Sequence, residues 1–229
     1  MIEGTRPLLL GSASPRRREI LTALGIPLIV RAVDLDESVR SGENAADYLA
    51  RITLSKLEAV AAIAPPGPVG AILVADTIVL LEGEILGKPR DEADSRAMLR
   101  ALSGHGHQVR TRFAIAAPAW SGSDPPRAPV AGTNAGEVSL ERLAAHAETV
   151  QTKVWFRTLD DDEIVRYAAT GEGRDKAGAY AIQGIGAFAV ERIEGSYSNV
   201  VGLPACEVVA ALLRTKLLAH FPFAPAAGP

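Results

Sequence analysis

The sequence predicts an α/β fold with a mixed central sheet and flanking helices, and three observations predict it. Short apolar runs such as Leu8-Leu9-Leu10 and AILVADTIVLL alternate along the chain with segments of helical character. Glu82-Gly83 stands between two apolar runs as a hairpin turn, so at least one antiparallel pair belongs to the sheet. With 229 residues, 48% apolar and 22% charged, the chain is long and apolar enough for one domain, or one domain split into two lobes round a cleft.

The first unit reads as strand, turn, helix. Leu8-Leu9-Leu10 is the strand, and Gly11-Ser12-Ala13 turns the chain. Ser14 is suited to cap the helix, with Pro15 in the first helical position, where a missing N–H costs nothing. Gly25 closes that helix as its C′ residue. A second strand is expected over residues 28–32, then an acidic loop, Asp34-Leu35-Asp36-Glu37. A long helix follows over residues 43–63 and stops at Pro65-Pro66-Gly67-Pro68.

The strand AILVADTIVLL turns through Glu82-Gly83 into Ile85-Leu86-Gly87-Lys88-Pro89. Asp91 caps a helix to Leu102, with Asp94 three residues on as in a capping box, and Gly104 ends it. A further strand is expected over residues 107–118. Residues 118–149 change character and read as a surface excursion with a weak helical patch over residues 139–146. The sheet resumes at 150–157, and a helix with an acid-rich start, suited to the helix dipole, covers 160–170. A strand over 187–193 and a helix over 204–218 complete the order. One domain over residues 1–219 results, with residues 220–229 as a loose tail.

Composition excludes several classes. Lys+Arg 24 against Asp+Glu 27 gives a net charge of −3, so no broad basic coat for long nucleic acid is expected, although a local basic pocket is compatible. The single cysteine, Cys206, excludes an internal disulfide framework and suits a reducing cytoplasm. No run of about 18 apolar residues marks a membrane span, and the apolar start is too short for a signal segment. A soluble cytoplasmic protein without a membrane partner is expected.

Several residues resist a purely structural account. Arg16-Arg17-Arg18 fill the first turn of a helix, where cations oppose the dipole by about 0.3–1 kcal/mol each. They are either solvated and offset by Glu19, or they serve an anion together with the free N–H groups and the small residues Gly11 to Ser14. Arg17 continues the helical stripe of Ile20, Leu21 and Leu24, which turns it inward. Lys56 lies on the stripe of Leu49, Ile52 and Ile63, either snorkelling to water or serving a site. Asp76 is the sharpest anomaly. An ionised carboxylate inside ILVADTIVLL needs pairing, hydrogen bonds or a metal. It bonds a neighbouring turn, or it is a metal ligand or general base.

Lys88 between Gly87 and Pro89, and Asp175-Lys176 before AGAYAIQGIGA, carry the same ambiguity. The glycines there match no phosphate-loop pattern, and Gln183 faces either a base edge or a backbone group. The four histidines lack metal-ligand spacing, and Cys206 has no assigned partner. Cationic side chains, small-residue donors and isolated carboxylates suit binding of a polyphosphate through a divalent metal better than acyl or redox chemistry.

GSASPRRREIL, VADTIVLLEGEILGKP, EADSRAMLRALSGHGHQVRT and DKAGAYAIQGIGAFAVERIEGSYSNVVGLP resemble, in order, the signatures of the Maf family of nucleotide pyrophosphatases, from Leu8 to Leu213. The resemblance implies a Maf/inosine-triphosphatase-like fold, with two lobes round a mixed sheet and a nucleotide in the cleft. It further implies hydrolysis of a nucleoside triphosphate to the monophosphate and pyrophosphate with a divalent cation, Mg²⁺ or Mn²⁺, and a homodimer. Carried over by motif, Ser12, Arg16, Arg17, Lys56, Lys88 and Lys176 hold the substrate. Asp76 is the proton acceptor that activates water, and Glu37, Asp76 and Asp175 are the metal or water-positioning carboxylates.

Three positions track substrate within the family. The dTTP/UTP branch has Arg after Ser-Pro, Thr after the catalytic Asp, and Gln in the later loop, as Arg16, Thr77 and Gln183 stand here. The 7-methyl-GTP branch typically has Trp, Gln and Glu. A neutral Gln amide both donates to and accepts from a uracil or thymine edge, whereas a glutamate suits a cationic methylated guanine. The resemblance therefore implies a dTTP/UTP pyrophosphatase serving nucleotide-pool sanitation. The alternatives are the same chemistry on 7-methyl-GTP or another purine nucleotide, or a nucleotide-binding regulator of cell division and septum formation. The chain departs from the family pattern at His105 (commonly Arg), at Ala181 (commonly Gly) and in the long 118–149 segment.

Overall fold

The computed structural model describes residues 1–63, 69–117 and 144–223. The expectations for the Pro-rich stop at 65–68, for residues 118–143 of the excursion with most of its helical patch, and for the tail from 224 lie outside the described residues. Residues 146–149, expected in that excursion and at the end of its helical patch, are strand, so the sheet resumes at 146 rather than 150. Seven strands pair in the order β2-β1-β3-β5-β6-β7, with β4 on β3. They are β1 (Leu8–Leu10), β2 (Leu28–Val30), β3 (Ala71–Leu81), β4 (Glu84–Leu86), β5 (Gly106–Ala116), β6 (His146–Phe156) and β7 (Val190–Glu194). β1 runs parallel to β2 and β3, while β3–β4 and β6–β7 are antiparallel, so the sheet is mixed as expected. Glu82 and Gly83 both have positive φ (53° and 93°), the requirement of a two-residue hairpin whose twist matches its strands.

The chain divides into two compact units, and β3, β5 and β6 each contribute residues to both. The first unit comprises residues 1–76, 112–149 and 205–229. It holds α1 (Pro15–Ala23), α2 (Ala45–Ala62) and the last helix, Ala205–Arg214. α2 buries Leu49, Ile52, Leu57 and Val60 at helical spacing. Leu57 and Val60 pack with Leu9, Val69, Ile72, Val74, Ala114 and Ala116 into one core. Ile63, expected on the apolar stripe of α2, lies beyond its last residue and is 48% exposed.

The second unit comprises residues 77–111 and 150–204. It holds α3 (Glu92–Leu102), α4 (Asp161–Ala169) and α5 (Tyr197–Val201), which leaves α6 as the Ala205–Arg214 helix of the first unit. Asp91 caps α3 as predicted, but the Asp94 carboxylate turns to Arg90 rather than completing the box. The reciprocal capping box forms on α4 instead, between Asp160 and Glu163. The strand expected over 187–193 starts only at Val190. Residues Gly184–Ala189 form 3-10 turns, because the run of small residues closes on itself before it can pair.

The core of this unit includes Leu99, Val109, Val154, Phe156, Ile164, Tyr167 and Tyr180. His107 is buried beside it, its Nε2 sharing a 2.8 Å hydrogen bond with Tyr180 Oη, with edge-on contacts to the Phe156 and Tyr180 rings.

Burial holds the His107 imidazole down at about 4, against an ordinary value of 6.5. Between those values the unfolded chain binds the proton and the folded protein does not. The contribution to stability is therefore full above pH 6.5 and is lost as pH falls toward 4, by roughly 3 kcal/mol in total. We expect the urea midpoint to drop between pH 7 and pH 5, and to drop less in a His107→Leu variant. Equal pH dependence of the two proteins would place the acid sensitivity elsewhere.

Candidate active site

The site of the first unit starts with a close approach of backbones. The Gly11 N–H donates to Leu73 O at 2.8 Å, fixing the β1–α1 turn to β3. A Cβ on Gly11 would lie 2.5 Å from Val60 Cγ2 and 2.8 Å from Val74 Cγ1, so only glycine lets the turn press onto both α2 and β3. Ser12 follows directly. Its Oγ accepts from Ser14 N at 3.2 Å and from Arg17 Nη1 at 3.1 Å. Ser14 Oγ in turn accepts from Arg17 N, which caps α1 with Pro15 in place as predicted.

Arg17 is buried, 8% exposed, as its place on the helical stripe requires. Its Nη1 also donates to Ala75 O at 2.7 Å, the carbonyl immediately before Asp76. Burial pulls the guanidinium below its usual range, the Asp76 and Glu37 carboxylates oppose that pull, and Arg16 adds to it. Arginine remains charged throughout.

Asp76 points toward α2. Its Oδ1 accepts from Lys56 Nζ at 2.6 Å, and both side chains are only 10% exposed. The same ammonium lies 2.6 Å from Glu37 Oε1. Two carboxylates, one from a strand and one from a loop, thus share one lysine, which answers the problem of an acid inside an apolar strand. The loop bearing Glu37 is held by Tyr48 Oη, which donates to Glu37 O at 3.0 Å, and by Arg51 Nη2, which donates to Ser38 O at 2.9 Å. Arg51 also grips Glu43 and draws that carboxyl down to about 2. Burial, with the charges of Asp76 and Glu37, pushes the Tyr48 hydroxyl above its usual range.

Ser12, Arg17, Glu37, Lys56 and Asp76 therefore form one network, with Arg16 half-buried beside it. Chemically, this is a carboxylate paired with an ammonium, next to a helix N-terminus and a buried guanidinium. Such a group can take a proton while cations offset charge on a bound anion.

The other sequence-predicted residues belong to the second unit. Thr77 follows Asp76 but points to the opposite face of β3. Its Oγ1 is 2.9 Å from Thr111 Oγ1 and donates to Gly202 O at 3.4 Å. Lys88 is exposed after Gly87, whose carbonyl accepts from Gly178 N at 3.1 Å. Lys176 Nζ lies 2.6 Å from Asp175 Oδ1 and also donates to the Glu172 carbonyl. Gln183 is exposed. His105, the departure from the family pattern, is exposed with Nδ1 2.8 Å from Ser103 O, at the end of α3.

Among the described residues, no group of three or more His, Cys, Asp or Glu side chains is placed to hold a metal ion. Glu37 and Asp76 converge on one point, whereas Asp175 pairs with its neighbour Lys176 in the second unit. No described helix is long and apolar enough to cross a membrane.

Sequence reasoning missed Tyr48, although its spacing to Ile52 and Lys56 places it on the buried stripe of α2. It also missed Tyr167, which lies at helical spacing from Ile164 on the buried face of α4, and Glu172, for which no local pattern exists.

Comparison with known proteins agrees with the motifs. A relative named dTTP/UTP pyrophosphatase from Geotalea uraniireducens is 45% identical over 215 residues, covering 93% of this chain and 97% of that protein. Relatives of the same name from Citrifermentans bemidjiense and Anaeromyxobacter dehalogenans are 46% and 47% identical, each covering 90% of this chain and 93% of the relative. A solved nucleoside-triphosphatase, a dITP/XTP pyrophosphatase from Mycobacterium abscessus, aligns over 92% of this chain and 96% of its own with a TM-score of 0.41 and 13% identity. The model of Maf-like proteins matches residues 7–215 and so takes in every residue of the network round Asp76; the chain belongs to the Maf family.

Proposed function

We propose that this protein hydrolyses dTTP and UTP to the monophosphate and pyrophosphate, in the cytoplasm, as a means of nucleotide-pool sanitation. The observation that carries the proposal is the Lys56–Asp76 pair, buried in a network with Ser12, Arg17 and Glu37. The names of the similar proteins support the substrate. Residues 1–219 act as one catalytic domain, and the protein works as a homodimer.

In this proposal Asp76 accepts a proton as water attacks the α-phosphorus. The bond to the bridging oxygen breaks, and pyrophosphate leaves with its electron pair. Ser12, Arg16, Arg17 and Lys56 bind the phosphate oxygens and offset the charge gathering on the leaving group. Lys88 and Lys176 are assigned to the same triphosphate by their motifs. Arg16, Thr77 and Gln183 set the preference for a pyrimidine.

The donor chemistry near Asp76 fits a divalent cation, Mg²⁺ or Mn²⁺. Glu37 and Asp76 already converge on one positive centre, and Mg²⁺ is typically held by one or two carboxylates plus substrate phosphates. Glu37 and Asp76 would hold it, and when bound it would neutralise phosphate charge; Asp175 orients Lys176.

A nucleotide panel tests the proposal. With Mg²⁺ or Mn²⁺ present, dTTP and UTP are expected to yield dTMP or UMP and pyrophosphate in equal amounts. CTP, dGTP and 7-methyl-GTP are expected to turn over at least tenfold more slowly, and EDTA to stop the reaction. Faster turnover of 7-methyl-GTP, or release of orthophosphate and a diphosphate, would overturn it.

A further inference from the structure

We infer that Glu172 and Tyr167 are positioning residues that clamp the loop bearing Gln183 and thereby set base selectivity; this rests on the proposal that Gln183 reads the base. Gln183 sits at the exposed tip of a loop whose two limbs are tied to the same carboxylate. On the limb after Gln183, Ile185 N donates to Glu172 Oε1 at 2.9 Å, and Gly186 N donates to Oε2 at 2.8 Å. On the limb before it, Ala181 N donates to Tyr167 Oη at 3.1 Å, and that hydroxyl donates to Glu172 Oε2 at 2.9 Å. One carboxylate therefore holds the backbone on both sides of Gln183, directly and through one phenol.

The backbone leaves little freedom around this clamp. Gly184 has φ of 75°, and a Cβ there would fall 2.3 Å from Glu172 Oε1. A Cβ on Gly186 would fall 2.3 Å from Ala181 O and 2.5 Å from Tyr167 Oη, so the limbs close on each other and on the phenol. Burial alone would raise the Glu172 carboxyl. The donors from Ile185, Gly186 and Tyr167, with the charge of Lys176, hold it below its ordinary value. The Glu172 carbonyl also accepts from Lys176 Nζ, so the residue that fixes the base loop touches a proposed phosphate lysine through its backbone. An amide at this position cannot accept with its nitrogen, so a glutamine must release either Ile185 or the Gly186–Tyr167 pair. A loop freed on one limb presents Gln183 in many orientations, which weakens discrimination more than phosphate binding.

Three variants of the full chain test this: Glu172→Gln, Tyr167→Phe and Gln183→Ala. For each, kcat/KM for UTP and GTP and inhibition by pyrophosphate are measured with Mg²⁺, alongside the melting temperature. The expected result is a fall of roughly tenfold in the UTP/GTP ratio for Glu172→Gln, a smaller fall for Tyr167→Phe, and a pyrophosphate inhibition constant within about threefold of the parent. Glu172→Gln combined with Gln183→Ala is expected to be no less selective than Gln183→Ala alone. If Gln183→Ala leaves selectivity unchanged, the assignment of Gln183 fails. If Gln183→Ala removes selectivity but Glu172→Gln and Tyr167→Phe keep it, the clamp is refuted while that assignment stands. Equal losses for UTP, GTP and pyrophosphate in Glu172→Gln, or its failure to fold together with unchanged selectivity in Tyr167→Phe, also refute the clamp.

Discussion

Replacing Asp76 with asparagine is expected to lower pyrophosphate release from dTTP by about 10³-fold or more while the protein stays folded. The size follows from removing a general base, which contributes typically 10²–10⁴-fold, at a position where a metal ligand would be lost as well. Survival of the fold follows from the geometry. Lys56 Nζ keeps Glu37 Oε1 at 2.6 Å, so the buried ammonium is not stranded when the aspartate loses its charge. The asparagine also keeps an acceptor for the 2.6 Å contact that Asp76 Oδ1 makes. The check is pyrophosphate release by coupled assay, with far-UV circular dichroism and a thermal melt on the same preparation. Turnover at the parent rate would remove Asp76 from the mechanism.

The second large effect belongs to Lys56. Changing it to methionine keeps the length and apolar stem but leaves two carboxylates, Asp76 and Glu37, facing each other without their shared cation. Breaking a buried pair from one side typically costs 3–5 kcal/mol, because the remaining charge is uncompensated. The melting temperature is therefore expected to fall by roughly 10 °C, at about 2–4 °C per kcal/mol for a chain of this size, and turnover to become undetectable. A Lys56→Met, Asp76→Asn double variant should recover part of the lost stability, since it removes one of the two neighbouring negative charges. Activity would not return. A single variant as stable as the parent would show that the ammonium carries little of the fold.

Much of the local structure was legible because its signals are local. Ser14-Pro15 announces α1, Asp91 announces α3, the acid-rich start from Asp160 announces α4, and Glu82-Gly83 announces a hairpin; each signal is local. Arg17 was legible as inward-facing because it continues an apolar helical stripe, whereas for Lys56 the stripe left snorkelling to water open; both are buried. The partners they find there were not. Arg17 donates to the carbonyl of Ala75, 58 residues away, and Lys56 serves Glu37 as well as Asp76. Glu172 was invisible for a similar reason, since its partners at 185 and 186 are backbone N–H groups that any residue could supply. The late start of β7 was missed because the small residues before it look strand-like in sequence but turn tightly instead.

β3 sets Asp76 against Lys56 and Thr77 against Thr111, on opposite sides of one extended segment. Side chains alternate there with a period of two, so the identity of what faces the lysine depends on parity. Deleting a single residue between Gly70 and Asp76 would therefore bring Thr77 to the lysine, and inserting one would bring Ala75, whereas a change of two would keep the acid on the lysine's side of the sheet but displace it by about 6.6 Å along the strand. On this geometry neither an odd nor an even change of length in that stretch keeps the 2.6 Å contact between Lys56 and Asp76.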